Sequence, residues 1–300
     1  MFIMIKSIFT AKDGKEITLY EYSDVVNPKG VIQIVHGMAE HALRYDNFAK
    51  FLNQNGYVVV ADDHRGHGET DKDSLGYSKG DMFSLILSDE EEITRYVKEK
   101  YNLPVILFGH SFGSFIAQAY IEKYSQNISG AIIGGSNYMK NLLLTCGRII
   151  SKIGCAIKGE KAPAKLLHKI TFDGYEKKLG GSFISSIPEE NERYDSDKYC
   201  GFVCSYNFYK SMFVNTKKLY KKKVLSTIKI PVLLIAGCND PVGDFAVGVS
   251  KLEDRYLSSG INVKTYLAEG VRHEYLNDIN ADVAMDKIKD FADGVIDERA

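Results

Sequence analysis

The chain has 300 residues, 45% hydrophobic and 26% charged, with a mean hydropathy of -0.18, so it can bury a sizeable core and is neither disordered nor membrane-spanning. Its 38 basic residues nearly balance its 39 acidic ones, which excludes a global field that would draw it to nucleic acid and favours a small-molecule partner. Five cysteines without paired metal-ligand spacing, and no signal-peptide pattern at the N-terminus, favour a cytoplasmic protein with reduced thiols.

Strand-like and helix-like segments alternate along the first part of the chain. The predicted strands, of which the first two form an antiparallel hairpin, are Ile3–Phe9, Glu16–Tyr22, Val31–Val35, Tyr57–Ala61, Pro104–Phe108 and Ser129–Gly134. The predicted helices are Leu43–Asn55, Asp81–Lys100 and Phe112–Tyr124. The acidic middle of the second helix is expected to face water. This alternation is typical of a mostly parallel sheet with helices on both faces.

The alternation stops after Gly135, and the next 90 or so residues are lysine-rich and helical in pattern. Strand patterns resume at Pro231–Ala236 and Asn262–Leu267, and Asp278–Ile296 is predicted as an amphipathic closing helix. We therefore expect a core in two parts, residues 1–136 and 227–300, with residues 137–226 inserted as a helical cap.

The segment from Gly109 to Gly113, with Ser111 at its centre, fits the pattern G-x-S-x-G. It lies directly between a predicted strand and a predicted helix, which is the context that this motif needs. A serine on such a tight turn is lifted clear of the backbone, and the flanking glycines leave room for it. The motif predicts that Ser111 is a nucleophile.

A serine hydroxyl needs a base to accept its proton and a carboxylate to orient that base. In folds with this turn the chain order is Ser, then Asp or Glu, then His, so the base must follow Ser111. His168 falls in the expected cap, whereas His273 lies in a loop after a strand and is the predicted base. Asp240, just beyond the strand Pro231–Ala236, is the predicted acid. The alternatives for the acid are Asp244 and Asp254.

Acyl transfer also needs two backbone N–H donors aimed at the carbonyl oxygen. Phe112, directly after the serine, is predicted to supply one, and Met38, in the loop that Gly37 allows to turn, the other. The histidines and aspartates from Asp62 to Gly68 are interpreted as hydrogen-bonded loop ties and not as metal ligands, and so are His36 and His41.

The chain resembles the monoacylglycerol lipase and lysophospholipase-like branch of the α/β-hydrolases, which includes proteins of the serine aminopeptidase S33 type. The resemblance is carried by four motifs in order: His36-Gly37-Met38-Ala39-Glu40-His41 with Arg44-Tyr45, Asp62-Asp63-His64-Arg65-Gly66-His67-Gly68, Gly109-His110-Ser111-Phe112-Gly113, and Asn239-Asp240-Pro241-Val242-Gly243 with Arg272-His273-Glu274. One departure is Phe112, where many members have methionine. In the cap, only the residues from Tyr199 to Phe202 match a motif of the family.

The resemblance implies an eight-stranded α/β-hydrolase sheet and a cytosolic esterase that uses neither cofactor nor metal. It also implies that monoacylglycerols, lysophospholipids or related carboxylic esters are the substrates and that the cap is the entrance for the acyl chain. Transient contact of the cap with a membrane or micelle is a further expectation. Five apolar cap residues are candidates for the acyl-binding or membrane-touching face, although ordinary cap core is slightly favoured for them: Leu142, Leu143, Leu144, Ile149 and Ile150.

Two other functions stay open on the sequence. The same triad and related folds cleave amides, so a peptidase or amidase is an alternative. A ligand-binding protein that keeps the fold without turnover is another, although such proteins usually lose a member of the triad. The oligomeric state is not predicted.

Overall fold

The computed structural model describes residues 3–139 and 142–298, except for the side chains of residues 142 and 143. Within this part of the chain, one eight-stranded sheet has the order β1-β2-β4-β3-β5-β6-β7-β8. The strands are β1 Met4–Thr10, β2 Glu16–Tyr22, β3 Gly30–Val35, β4 Tyr57–Asp62, β5 Val105–His110, β6 Gly130–Gly134, β7 Val232–Gly237 and β8 Val263–Ala268. β2 pairs antiparallel with β1 and β4, and the later neighbours pair in parallel. The predicted mostly parallel sheet is confirmed.

The continuous apolar runs form the centre of this sheet because its strands are covered on both faces. Every residue of β3, β4, β5, β6 and β7 is buried. β1, at the edge, begins with three exposed residues and then alternates between half-buried and exposed ones. Continuous apolar strands and an alternating edge are what a parallel sheet between two helical layers requires.

The helices are α1 Asp46–Gln54, α2 Met82–Tyr101, α3 Phe112–Tyr124, α4 Leu142–Lys158, α5 Lys165–His168, α6 Gly174–Leu179, α7 Pro188–Ser196, α8 Tyr206–Thr216, α9 Lys222–Leu225, α10 Val247–Leu257 and α11 Ala281–Asp297. α1 and α11 pack on one face of the sheet, and α2, α3 and α10 on the other. None of the described helices has both the length and the apolar run needed to cross a membrane. The closing helix begins three residues later than predicted, because the Asp278 carboxylate accepts loop hydrogen bonds from the amides of Arg272 and Ser186.

The prediction that the acidic middle of α2 faces water is wrong. Asp89, Glu90 and Glu91 are all buried. Arg65 Nε donates to Asp89 at 2.6 Å, and Gln33 Nε2 donates to Glu90 at 2.7 Å. Burial raises the pKa of Asp89 to about 6, even though Arg65 acts against that rise. Burial of a carboxylate is more tolerable when it has hydrogen-bond partners, and the partners Arg65 and Gln33 come from other segments of the chain.

The segment between β6 and β7 is helical from α4 to α9. α4 lies directly on α8, and two glycines allow the close approach. A Cβ on Gly147 would lie 2.6 Å from the ring of Phe213, and one on Gly154 would lie 2.1 Å from the ring of Tyr206. This helical pair stands over the carboxyl ends of the central strands, since residues of both helices share one cavity with Ser111.

Candidate active site

Ser111 occupies the turn between β5 and α3 with φ 54° and ψ -119°, a conformation that is strained for any residue other than glycine. The turn is held on both sides. The Ser111 amide donates to the Gly134 carbonyl at 3.0 Å, and the Ser111 carbonyl accepts from the Ser114 amide at 2.9 Å. Strain that is held by surrounding hydrogen bonds in this way is characteristic of functional sites.

Gly109 and Gly113, the two glycines of the motif, are required because neighbouring atoms leave no room for a side chain, and not only because glycine is flexible. A Cβ on Gly113 would lie 2.0 Å from the Val35 carbonyl oxygen, and one on Gly109 would lie 2.4 Å from the Gly113 carbonyl oxygen. The start of α3 therefore lies against the end of β3 with no room for a methyl group. This contact places the turn beside the loop that follows β3.

Behind the serine is a buried hydroxyl and amide network that the sequence did not reveal. Ser114 Oγ donates to the Ser111 carbonyl at 2.5 Å and lies 2.7 Å from Ser136 Oγ. Gln118 Nε2 donates to the same Ser136 oxygen at 2.8 Å. The network links the turn to the end of β6, so it stiffens the backbone on which Ser111 is displayed.

His273 and Asp240 meet at the carboxyl ends of β7 and β8. His273 Nδ1 lies 2.9 Å from Asp240 Oδ2, and Asp240 Oδ1 accepts from the Val242 amide at 2.8 Å. Both side chains are buried. Asp244, one of the alternatives, lies exposed at the cavity wall, and the other, Asp254, belongs to α10.

The electrostatics of the pair favour a charged imidazole. Burial alone would lower the pKa of His273, but the charge and hydrogen bond of Asp240 outweigh it, and the pKa is raised above its usual value. When the ring is neutral, the same hydrogen bond places its one proton on Nδ1, which leaves Nε2 as the acceptor. The loop around His273 is held by the helical insertion, because the His273 and Glu274 amides donate to the carbonyls of Phe183 and Ile184.

Ser111 and His273 face the same cavity. A Cβ on Gly135 would lie 3.1 Å from His273 Cε1. The carbonyl of the preceding residue, Gly134, accepts a hydrogen bond from the Ser111 amide. Ser111 and His273 therefore lie beside adjacent residues at the end of β6. No hydrogen bond between Ser111 Oγ and His273 is present among the described residues. Catalytic hydrogen bonds are often long in free enzymes and shorten when substrate binds.

The two candidate donor amides flank the serine. Gly37 lies so close that a Cβ there would be 3.1 Å from Ser111 Cβ, and Met38 follows it. Phe112 is the first residue of α3, where the positive end of the helix favours negative charge. Within residues 3–139 and 142–298, neither the Met38 nor the Phe112 amide donates to a protein group. Both are therefore free to donate to a carbonyl oxygen.

A buried charge cluster beside this site was not assigned any role on the sequence, although its residues belong to the quoted motifs. Glu40 Oε1 accepts from the Gly37 amide at 2.5 Å and from Tyr45 Oη at 2.9 Å. Arg44 Nε lies 3.5 Å from Glu40 Oε2, and Arg44 Nη2 donates to Glu274. The cluster ties the loop of Met38 to the loop of His273. Its ion pairs join residues up to 230 positions apart, so no local pattern indicates them.

The histidines near the Asp62–Gly68 segment tie loops together by hydrogen bonds. His36 Nε2 accepts from the His64 amide at 3.1 Å, and the His36 and His64 rings stack at 3.8 Å. Burial lowers the pKa of His67 to about 3, so that ring is neutral. Two groups have donor atoms within 4.8 Å of one another, as a metal site would need: Asp62, His64 and Glu90, and His41, Asp197 and Cys200. Protein partners already engage donors of both groups, through the His64–Asp62 and His41–Asp197 contacts.

The cavity in front of Ser111 has a volume of about 570 Å³. Its wall is mostly apolar and is built largely by the helical insertion, with Leu144 and Ile150 from α4 and Met212 and Phe213 from α8. A concave apolar pocket of several hundred Å³ with a few polar groups is typical of a small-molecule site. The sequence predicts that five cap residues form an acyl-binding or membrane-touching face, with ordinary cap core slightly favoured. Of these, Leu144 and Ile150 line the cavity and Ile149 is exposed. The side chains of Leu142 and Leu143 lie outside the described residues.

Comparison with known proteins agrees with this geometry. A family profile described as serine aminopeptidase, S33, matches residues 26–280. The monoacylglycerol lipase of Mycolicibacterium smegmatis is 23% identical over 285 residues, 93% of this chain and 94% of that protein. The monoglyceride lipase of Rattus norvegicus is 25% identical over 264 residues, 87% of this chain and 80% of that protein. A carboxyl esterase from Bacillus coagulans, solved with glycerol, has a TM-score of 0.88 at 28% identity and covers 99% of this chain and 100% of that one.

The strand order and the serine turn define an α/β-hydrolase. Within that class the chain belongs to the serine aminopeptidase S33 family, in the branch that resembles monoglyceride lipases. The predicted resemblance and the prediction of a hydrolytic enzyme are confirmed.

Proposed function

We propose that the protein hydrolyses carboxylic esters through a triad of Ser111, His273 and Asp240. The observation that carries the proposal is the 2.9 Å contact between His273 Nδ1 and Asp240. His273 lines the same apolar cavity as Ser111, whose backbone is strained. The curated relatives and the solved esterase support ester cleavage as the reaction.

In the proposed first half-reaction, Ser111 Oγ bonds to the acyl carbon while His273 Nε2 takes the hydroxyl proton. The Met38 and Phe112 amides donate to the oxygen on which negative charge develops. When the tetrahedral intermediate collapses, the alcohol leaves with the proton held by His273. In the second half-reaction, water attacks the acyl carbon and His273 accepts a proton from it. As the bond from the acyl carbon to Ser111 Oγ breaks, His273 returns that proton to Oγ and the free acid leaves.

For the substrate we propose monoacylglycerols or lysophospholipids. Each has one acyl chain, which suits the apolar wall made by α4 and α8, and a polar leaving group, which suits the few polar residues of the lining. We treat residues 137–226 as the cap of this pocket and residues 1–136 and 227–300 as the core. A cytoplasmic location is also proposed, on the ground of five free cysteines.

A peptidase or amidase is the second candidate, because the matching family is described as an aminopeptidase. An aminopeptidase needs a free carboxylate to hold the substrate amine. The carboxylates of Glu40 and Glu274 reach the cavity but are paired with Arg44, so the exposed carboxylate of Asp244 is the one that could hold an amine. The ester hydrolase is favoured because the curated relatives are lipases. Rates on p-nitrophenyl esters and on proline p-nitroanilide separate the two candidates.

The decisive experiment is a hydrolysis panel of monoacylglycerols, lysophospholipids and short esters with the wild type and Ser111→Ala. We expect a loss of about a thousandfold or more in the variant. Mass spectrometry after treatment with a fluorophosphonate should show one adduct on wild type and none on Ser111→Ala. A wild-type protein that binds ligand but gains no mass and hydrolyses nothing would favour the non-catalytic alternative.

A further inference from the structure

Among the residues that the structure describes, three charged side chains line the cavity without an ion pair or a side-chain hydrogen bond: Lys178, Asp244 and Lys251. All three are exposed. They differ in this from Glu40 and Glu274, whose carboxylates also reach the cavity but are paired with an arginine. Two positive charges and one negative charge are therefore free to pair with a ligand.

Lys178 lies on the side of the cavity where the candidate base stands. It follows Tyr175 by three residues on α6, so the two side chains are neighbours on that helix. The ring centroids of Tyr175 and Phe183 are 5.4 Å apart, and those of Phe183 and His273 are 5.6 Å apart. This row of rings places α6, which belongs to the helical insertion, beside the imidazole.

Asp244 and Lys251 reach the cavity from the core. Asp244 is in the loop between β7 and α10. Burial and, after it, the charges of two carboxylates, one of them that of Asp244, raise the pKa of Tyr175 to about 12, so this loop faces α6. Lys251 follows Gly248 by three residues on α10, and a Cβ on Gly248 would lie 2.2 Å from Asn137 Oδ1. The start of α10 therefore lies against the segment that follows β6, and the insertion and the core each bring one lysine to the cavity.

The proposed reaction decides which part of a substrate meets these charges. His273 gives its proton to the leaving alcohol, so the alcohol lies beside the imidazole when the intermediate collapses. Lys178 lies near that imidazole, and Asp244 is four residues after the candidate acid Asp240. The apolar wall of α4 and α8 is left for the acyl chain. The charges therefore face the part of the leaving group that extends beyond its hydroxyl.

We propose that Lys178, Lys251 and Asp244 form a subsite for a zwitterionic head group that joins a phosphate to an ammonium group. The two lysines pair with the phosphate oxygens, and the Asp244 carboxylate pairs with the ammonium. Glycerophosphoethanolamine carries both charges as a leaving alcohol, whereas glycerol carries neither. A peptide amine is a poorer occupant, because it would leave both lysines unpaired beside a positive charge. This inference rests on the proposed function and deepens it, since it assigns the residues that distinguish a zwitterionic lysophospholipid from a monoacylglycerol.

Binding of ether lipids to Ser111→Ala tests the subsite without turnover. The probes are short-chain alkyl ethers of glycerol, of glycerophosphate and of glycerophosphoethanolamine, which have the same chain and no ester bond. By titration calorimetry below the micelle concentration, we expect the glycerophosphoethanolamine ether to bind at least about tenfold more tightly than the glycerol ether. Raising the salt concentration to about 1 M should reduce this preference, because exposed charges are then screened. Equal affinities for these two ethers would overturn the proposal.

Substitutions in the Ser111→Ala background assign each charge to its partner. Lys178→Gln/Lys251→Gln should reduce the preference for the glycerophosphoethanolamine ether over the glycerol ether at least about fivefold, because the phosphate loses its cations. Asp244→Asn should reduce the preference for the same ether over the glycerophosphate ether at least about fivefold, because the ammonium loses its carboxylate. An Asp244→Asn variant that keeps the full preference for the ammonium would contradict the assignment of Asp244.

The matched controls make the same changes of charge at exposed positions outside the cavity lining. They are Lys177→Gln/Lys264→Gln for the lysine pair and Asp254→Asn for the aspartate. The controls should bind all three ethers as Ser111→Ala does, and every variant should keep its melting temperature, which shows that it is folded. Equal losses in the test and control variants would show that the net charge of the protein, and not this subsite, sets the preference.

Two results separate this inference from the proposed reaction. If the wild type hydrolyses esters but Ser111→Ala binds the glycerol and glycerophosphoethanolamine ethers equally, the subsite is wrong and the reaction stands. If Ser111→Ala prefers the zwitterionic ether and the wild type hydrolyses no ester, the reaction is wrong and the subsite stands.

Discussion

The Arg44 guanidinium pairs with the carboxylate of Glu274, the residue that directly follows the candidate base His273. Arg44 also lies beside Glu40, whose other oxygen accepts the Gly37 amide in the loop of the candidate donor Met38. Two loops that the proposed reaction needs at fixed positions are thus joined through one buried cation. Burial and, after it, the neighbouring Glu274 raise the pKa of Glu40, whereas Arg44 acts against that rise.

Replacing Arg44 should therefore destabilise the protein. Arg44→Met leaves two buried carboxylates without their cation, and we expect the free energy of unfolding in urea to fall by about 3 kcal/mol. In that background, Glu274→Gln should restore part of the loss, because it removes one of the unpaired charges. Additive losses in the double variant would show that the two residues act independently.

The pH dependence of hydrolysis should report the Asp240–His273 pair. The base must be neutral to accept a proton, so kcat/KM falls as pH drops through the pKa of His273. Because Asp240 raises that pKa, the midpoint should lie above the ordinary histidine value of about 6.5. Asp240→Asn removes the charge, and burial then dominates, so the midpoint should move to lower pH while kcat falls by about ten-thousandfold.

His168→Gln is the control for this profile, since His168 lies on α5 and has no part in the proposed reaction. Its pH profile should match that of the wild type. If the midpoint is unchanged in Asp240→Asn, the pH dependence of kcat/KM reports a group other than His273.

A left-handed turn after Asp240 offers a stability gain. Asp244, Phe245 and Ala246 have φ values of 53°, 54° and 70°, a conformation that costs non-glycine residues about 1–2 kcal/mol each. Ala246→Gly removes this strain but makes the unfolded chain more flexible, so we expect a net gain of about 0.5–1 kcal/mol in thermal or urea unfolding. Ala156→Gly, at an exposed position of α4, should instead cost about 1 kcal/mol. The same sign at both positions would contradict the argument.

The contact between α4 and α8 should be intolerant of a single methyl group. In Gly154→Ala the new Cβ would meet the Tyr206 ring at 2.1 Å, so we expect a loss of about 1–3 kcal/mol. Gly294→Ala is the matched control, because a Cβ there, on α11, meets nothing within 4 Å. That variant should gain about 0.5–1 kcal/mol from higher helix propensity. Equal melting temperatures for the two variants would argue against the tight crossing.

Much of the site could be predicted because its signals are local. Ser111 lies between a strand and a helix within ten residues, and Asp240 and His273 each follow a strand whose carboxyl end must lie at the same edge of a parallel sheet. The roles of these three residues stay predictions, which the variants above test. The burial of Asp89 and Glu90 could not be predicted in this way, since a run of acidic residues on a helix normally indicates a solvated face.

The sequence by itself determined the order of strands and helices and the class of enzyme, and it selected Ser111, His273 and Asp240 as the proposed triad, because backbone pattern and turn chemistry act over a few neighbouring residues. The tertiary structure alone decided which charges are buried and which apolar residues are exposed. Arg44 meets Glu274 across 230 positions, and Ile153 is left facing solvent because α8 occupies only the opposite side of its helix. Such pairings depend on which distant segments meet, and no local pattern carries that information.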